Sequence, residues 1–229
     1  MPFTIFAKNG LAGKFDDEIV PLTTTMGVMD KETKEVSFKE VTLEKDEGNR
    51  PGTTVENLQS LQPVFKDGQQ VKEGKFITAG NASQISDGAA ACIVTTMDRA
   101  EALGITPLAE VVSHGQVAGP DASLLHQPSN AIGVALDRAG LTVADMDLLE
   151  INEAFAAVAL ASMDALGVTD EIVNVNGGAI ALGHPIGMSG TRIVLTLAHE
   201  LARRGGGLGA AGLCGGGGQG EAMVLRVAA

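Results

Sequence analysis

The sequence predicts an α/β fold, and three observations lead to it. From Phe76 onward, apolar runs of strand length alternate with longer segments of helical periodicity. Glycines stand just past two of the helical segments, at Gly140 and Gly167, where a left-handed cap is expected. Charge is also partitioned: residues 1–75 hold all nine lysines and 23 charged residues, whereas the remaining 154 hold 21. The first part is therefore expected to be mostly surface, and the second to hold the core.

In the charged part, Phe6 to Phe15 reads as the end of a helix running into a glycine-containing turn. Asp16-Asp17-Glu18 leads into Ile19-Val20-Pro21-Leu22, Val36 to Leu43 alternates as a short exposed strand, and Thr54 to Leu61 has the pattern of a short helix. Together these make an irregular α+β excursion laid over the core. Ala89 to Val94, with Cys92 inside it, then reads as a buried strand, followed by a helical turn and a strand from Leu108 to Val112. Pro128 to Ala139 reads as a helix, Leu148 to Ile151 as a strand, Ala154 to Leu166 as a helix and Ile172 to Val175 as a strand. Met188 to Arg204 is the longest helical pattern, with Ile193, Val194, Leu197, Ala198 and Leu201 on one face. Leu208 to Leu213 and Glu221 to Val227 finish the chain as strands. The order is βαβαβαββ, whose crossovers favour a sheet covered by helices.

Composition narrows the function classes. With 229 residues and 45% hydrophobic content, the chain can bury a substantial core. A net charge of −12 argues against a nucleic-acid surface or an anionic membrane as partner, since either needs a basic face. The longest uninterrupted apolar run, Ala154 to Ala161, is too short to span a bilayer, and no leader pattern opens the sequence. Two cysteines are too few for a disulfide framework, so a reducing, cytoplasmic setting is expected.

Half of the glycines, fifteen of thirty, fall between Asn174 and Gly220, around one histidine and one cysteine. Glycine at that density suits a backbone that approaches a ligand closely. In Gly183-His184-Pro185-Ile186-Gly187 the histidine lies in a loop held by proline, where function is commoner than on an apolar helix face. Cys214-Gly215-Gly216-Gly217-Gly218 leaves a thiol and free N–H groups without shielding side chains, an arrangement able to bind an oxyanion. Asn152 is placed at a strand end before a helix, and by spacing alone serves equally as a helix cap. Cys92, inside an apolar run, reads as a core residue. His114, His126 and His199 lack metal-ligand spacing, and no metal is expected. Gly215 to Gly220 also spells a dinucleotide pattern, but a strand follows it where a helix is required.

Three of these stretches carry a family resemblance. Asn152-Glu153-Ala154-Phe155, the run Asn174 to Gly187 and Cys214-Gly215-Gly216 resemble three of the four active-site loops of thiolases, the acyl-CoA acetyltransferases. Gly13 to Ile19, Arg50 and Thr78 to Ala90 resemble that family's loop domain and the stretch after it. The resemblance implies a thiolase-like fold, with residues 1–85 as a partial coenzyme A-binding loop domain, 86–97 as the closing strand of the N-terminal domain, and 98–229 as the C-terminal domain. It also implies that the N-terminal half, with its acylated cysteine, is missing.

By the same resemblance, His184 activates the nucleophile and binds a thioester oxygen, and Asn152 holds a water in the same oxyanion hole. Cys214 moves the α-proton, and the N–H of Gly216 binds the second thioester oxygen. Ala79, Gly80, Ser83, Ala154 and Phe155 face the pantetheine, and Arg50 lies near the nucleotide end of coenzyme A. The implied ligands are acyl-CoA and acetyl-CoA, with no cofactor besides the thioester substrate. The implied partner is a second copy or a thiolase-like subunit. The alternative is a chain without turnover that binds coenzyme A or such a subunit.

Overall fold

The computed structural model describes residues 15–229 apart from Asp17, Glu47, Asn49, Pro51 and Gln70. The helix expected to end at Phe15 lies otherwise outside the described residues. Phe15 itself opens a turn, its carbonyl accepting from the N–H of Glu18 at 2.9 Å.

The charged part forms the expected irregular layer. Strand β1 (Leu22–Met29) pairs antiparallel with β2 (Val36–Leu43), and β2 matches its sequence reading residue for residue. Helix α1 (Val55–Gln59) is short and begins at Thr54, whose hydroxyl accepts from the N–H of Asn57.

Residues 89–94 correct the sequence reading. They are exposed, Ile93 at 95%, and form no ladder among the described residues. An apolar, β-prone run becomes a strand only where another strand accepts and donates its backbone hydrogen bonds, and no described edge is offered to it. Cys92 is consequently exposed rather than a core residue.

The remainder builds one sheet. After helix α2 (Met97–Ala102) come β3 (Glu110–Ala118), α3 (Gln127–Ala139), β4 (Leu148–Ile151), α4 (Ala156–Leu166), α5 (Ala179–Leu182), α6 (Ser189–Arg203), β5 (Gly207–Gly215) and β6 (Gln219–Val227). The sheet order is β3-β6-β5-β4; β4 and β5 run parallel and the other pairs antiparallel. β6 follows β5 through a tight glycine turn, so the dinucleotide spelling there has no helix after it.

Alternation along the strands sends residues to two cores. Leu149, Ile151, Ala210 and Val224 pack towards α3 and α4, with Ala131, Ile132, Ala135 and Ala159. Leu148, Ala211, Leu225 and Val227 pack against Ile193, Leu197, Ala198 and Leu201 of α6, the face read from the helical spacing. Burying each large aliphatic side chain contributes roughly 1.5–3 kcal/mol. Both predicted caps are present: Gly140 and Gly167 take left-handed φ values of 67° and 68°.

Two boundaries moved for tertiary reasons. The strand expected at Ile172 to Val175 is reduced to a single bridge between Val173 and Leu149, because Asn174 turns the chain with φ of 48°. Helix α4 starts at Ala156, two residues later than expected. Ala154 and Phe155 are held extended against residues 81–83, with Ser83 N–H donating to the Ala154 carbonyl at 3.1 Å and Ala156 N–H to the Asn81 carbonyl at 2.9 Å.

Candidate active site

The chemistry-bearing residues gather at the C-terminal end of the parallel β4–β5 pair, where α/β sheets leave a crevice for ligands. Asn152 follows β4 directly and prolongs the ladder, its N–H donating to the Gly212 carbonyl at 2.9 Å. Cys214 stands near the end of β5, two residues past Gly212.

Asn152 is fully buried and does not cap a helix: the N-cap position of α4 is Phe155, which makes no side-chain cap bond. Its Nδ2 lies 3.3 Å from Nε2 of His184, and its Oδ1, enclosed by protein, has no hydrogen-bond partner among the described residues. An unpaired buried carbonyl costs free energy unless something polar reaches it.

The peptide before Asn152 is locked from the side. Asn174 accepts from the Ile151 N–H and donates to the Ile151 carbonyl, both at 2.8 Å, as a neighbouring strand would. Its Nδ2 also donates to Oε1 of Glu153 at 2.8 Å, and Oε2 of Glu153 accepts from the Ile180 N–H at 3.1 Å. Glu153 thus ties the Asn152 loop to the loop carrying His184. Gly178 is required there, since a Cβ would overlap the Glu153 carboxylate. Burial raises the carboxyl of Glu153, while the bonds from Asn174 and Ile180 oppose the shift.

His184 is held at both ring nitrogens, by Asn152 at Nε2 and by the hydroxyl of Ser189 at Nδ1, 2.6 Å away. Burial, with the nearby Arg192 cation, lowers its pKa, so the ring is neutral at pH 7. Gln84 braces the loop from the charged layer, its Nε2 donating to the carbonyls of Ile180 and Ala181 at 3.2 and 3.1 Å. Below the loop, Glu150 is buried and contacts Arg192 at 3.4 Å. Loss of hydration outweighs that contact and pushes its carboxyl to about 8.

Cys214 is buried, and burial pushes its thiol up, so it carries its proton at neutral pH. The following turn is shaped by Gly217 and Gly218 at φ of 86° and 78°. Gly216 is exposed, and its N–H makes no hydrogen bond among the described residues. A neutral imidazole, a protonated thiol, an enclosed amide and a free N–H make a site suited to moving protons and stabilising an oxyanion.

The other predicted residues gather on one side. Ala154 and Phe155 pair with the strand-like run that contains Ser83, and Ala79 and Gly80 form the turn just before it. Gly80 presses against Leu58 and Leu61, where a Cβ would collide. Arg50 is exposed, its side chain unpaired among the described residues, two positions from Gly48, whose carbonyl accepts weakly from Gln84 at 3.4 Å. Sequence reasoning gave no role to Glu153, Asn174, Gln84 or Ser189. All four are polar residues inside the quoted stretches or within two positions of them, which was the only signal of their importance.

Comparison with known proteins agrees over most of the chain. The family model described as "Thiolase, C-terminal domain" matches residues 105–227, and that described as "Thiolase, N-terminal domain" matches residues 5–98. A "Probable acetyl-CoA acetyltransferase" of Mycobacterium tuberculosis is 54% identical over 215 residues, covering 93% of this chain and 51% of that protein. The peroxisomal 3-ketoacyl-CoA thiolase B of Rattus norvegicus is 47% identical over 93% of this chain and 48% of its own length. The crystal structure of human mitochondrial 3-ketoacyl-CoA thiolase in complex with CoA has a TM-score of 0.82 at 44% identity, covering 99% of this chain and 52% of that one. The chain spans about half the length of the curated relatives it matches. The match over residues 5–98 corrects the expectation of a missing N-terminal half, because residues of both domains are present.

Proposed function

The chain belongs to the thiolase family and has its fold, and from that premise we propose that it supplies the acid/base side of an acyl-CoA acyltransferase site. The reaction is Claisen condensation of two acyl-CoA thioesters, or thiolysis of a 3-ketoacyl-CoA in reverse. The observation that carries this reading is the buried Oδ1 of Asn152, without a partner among the described residues, beside Nε2 of His184. Such a pair is suited to a water or thioester oxygen that completes its hydrogen bonds.

In this reading His184, neutral at pH 7, accepts the proton of a nucleophilic thiol as that thiol attacks the acyl-CoA carbonyl. The C–S bond to coenzyme A breaks, and the departing thiolate takes the proton of the Cys214 thiol, which leaves Cys214 as its thiolate. Acetyl-CoA then enters, and Cys214, as its thiolate, removes a proton from the methyl carbon. The resulting carbanion attacks the enzyme thioester and forms the carbon–carbon bond as the C–S bond breaks, and the released thiolate nucleophile recovers its proton from His184. The N–H of Gly216 stabilises the enolate oxygen, and the oxygen of the attacked thioester lies between His184 and the water of Asn152. Ala79, Gly80, Ser83, Ala154 and Phe155 form the wall for the pantetheine arm, with Arg50 available to the phosphates. No cofactor besides the thioester is needed.

Neither cysteine of the chain suits the nucleophile: Cys214 is assigned to the α-proton, and Cys92 is exposed on the extended run after the wall. The reading therefore calls for a nucleophilic thiol from a thiolase-like polypeptide beside this chain. The test measures acetoacetyl-CoA thiolysis by the chain alone, by the chain with such a companion, and by His184→Ala and Cys214→Ala in that mixture. Turnover is expected only in the mixture and is lost in both variants, with coenzyme A binding retained. Full turnover by the chain alone, or wild-type rates in both variants, removes the mechanism. Coenzyme A binding without turnover in any mixture supports a non-catalytic module instead.

A further inference from the structure

Ser189 opens helix α6, is fully buried, and touches two groups with one oxygen. Its hydroxyl donates to the Pro185 carbonyl at 3.0 Å and lies 2.6 Å from Nδ1 of His184. A serine hydroxyl carries one hydrogen. With that hydrogen directed to the carbonyl four residues back, as serines in helices often do, only lone pairs remain for the imidazole. Nδ1 must then bring the hydrogen.

The opposite edge of the ring makes the same demand independently. Nδ2 of Asn152 can only donate, so Nε2 of His184 must accept from it. A neutral imidazole has one N–H, and both contacts place it on Nδ1.

We propose that Ser189 is a positioning residue that holds His184 as the Nδ1–H tautomer, leaving the Nε2 lone pair facing Asn152 and the site. The inference rests on the reading of His184 as a proton acceptor, because a base at Nε2 requires this tautomer. Ser189 does not touch the reacting atoms. It acts through the ring, as the residue behind a catalytic or metal-binding histidine commonly does.

The test is the nitrogen NMR spectrum of the chain labelled with 15N at histidine, with the His184 signals assigned by their loss in His184→Ala. In the wild-type chain, Nδ1 is expected at the position of a protonated ring nitrogen and Nε2 at that of an unprotonated one. In Ser189→Ala the two resonances move towards each other as the tautomers mix, and Ser189→Thr returns them to separate positions. The exposed His114, His126 and His199 serve as controls, since their unchanged signals report an intact fold. A wild-type spectrum with the hydrogen on Nε2 overturns the proposal without any variant, as does an unchanged His184 pair in a folded Ser189→Ala chain. The spectrum needs no turnover, so failure of the acyl-transfer reading and failure of this inference appear in separate measurements.

Discussion

Replacing Glu150 with glutamine should make the protein progressively more stable than wild type as the pH rises. Glu150 lies inside β4, buried on all sides, and burial lifts its carboxyl from 4.5 to about 8 despite Arg192 at 3.4 Å. A folded-state value above the unfolded one means that the native protein binds the proton more tightly. Stability then falls as pH rises between the two values and is level outside them. The interval from 4.5 to about 8, at roughly 1.4 kcal/mol for each factor of ten in proton affinity, corresponds to about 5 kcal/mol. Glutamine keeps the shape and still accepts from Arg192, but has no proton to lose. Urea unfolding of both proteins from pH 4.5 to 9 supplies the test, with the difference in stability as the readout. Taking the difference cancels the titration of groups that do not interact with Glu150, while Glu153 and Glu200, whose charges also raise Glu150, stay coupled to it within the readout. The variant should gain steadily across the interval and level off above pH 8. A difference that stays constant with pH, or one that shrinks, would refute the claim that desolvation dominates the ion pair.

Two further outcomes follow from packing and exposure. Leu197→Ala removes a buried side chain from the α6 face against Ala211 and Leu225, and should cost about 2–5 kcal/mol in the same unfolding assay; a loss within experimental error would mean that this face is loosely packed. In the native chain at pH 7.5, a maleimide should modify exposed Cys92 before Cys214, whose thiol is enclosed and pushed up by burial. Peptide mass spectrometry of a time course separates the two sites, and equal rates would contradict the enclosure of Cys214.

Much of the C-terminal sheet was legible in the residues. Strand β4, the caps at Gly140 and Gly167, the buried face of α6 and the glycine turn after Cys214 all depend on neighbours a few positions away in the chain. Periodicity and capping chemistry report such short-range relations directly. The run 89–94 has the composition of a buried strand, but composition says only that a segment suits a sheet. Which edge receives it is a property of the assembled fold, and here Ile93 and Cys92 face outward.

Within the site, His184, Asn152 and Cys214 were each visible as unusual residues in unusual loops, and the family resemblance gave them roles. Their supports were not visible. Asn174 reaches Ile151 across 23 positions and Gln84 reaches Ala181 across 97, and no local pattern marks an amide that will replace a strand. Asn152 shows the division most clearly. Its sequence position, a polar residue after a strand and before a helix, suits a cap as well as a functional amide. The fold decides between them by holding Ala154 and Phe155 extended against residues 81–83, which delays the helix and turns the amide to His184.

The sequence by itself determined the elements, their caps, their apolar faces and the residue types at the loop ends, because these follow from interactions over one or two turns of chain. Only the tertiary structure decided which of those residues meet, which carboxyl loses its water, and which nitrogen of His184 carries the hydrogen. Those outcomes depend on distance and enclosure, set when segments far apart in the chain pack together.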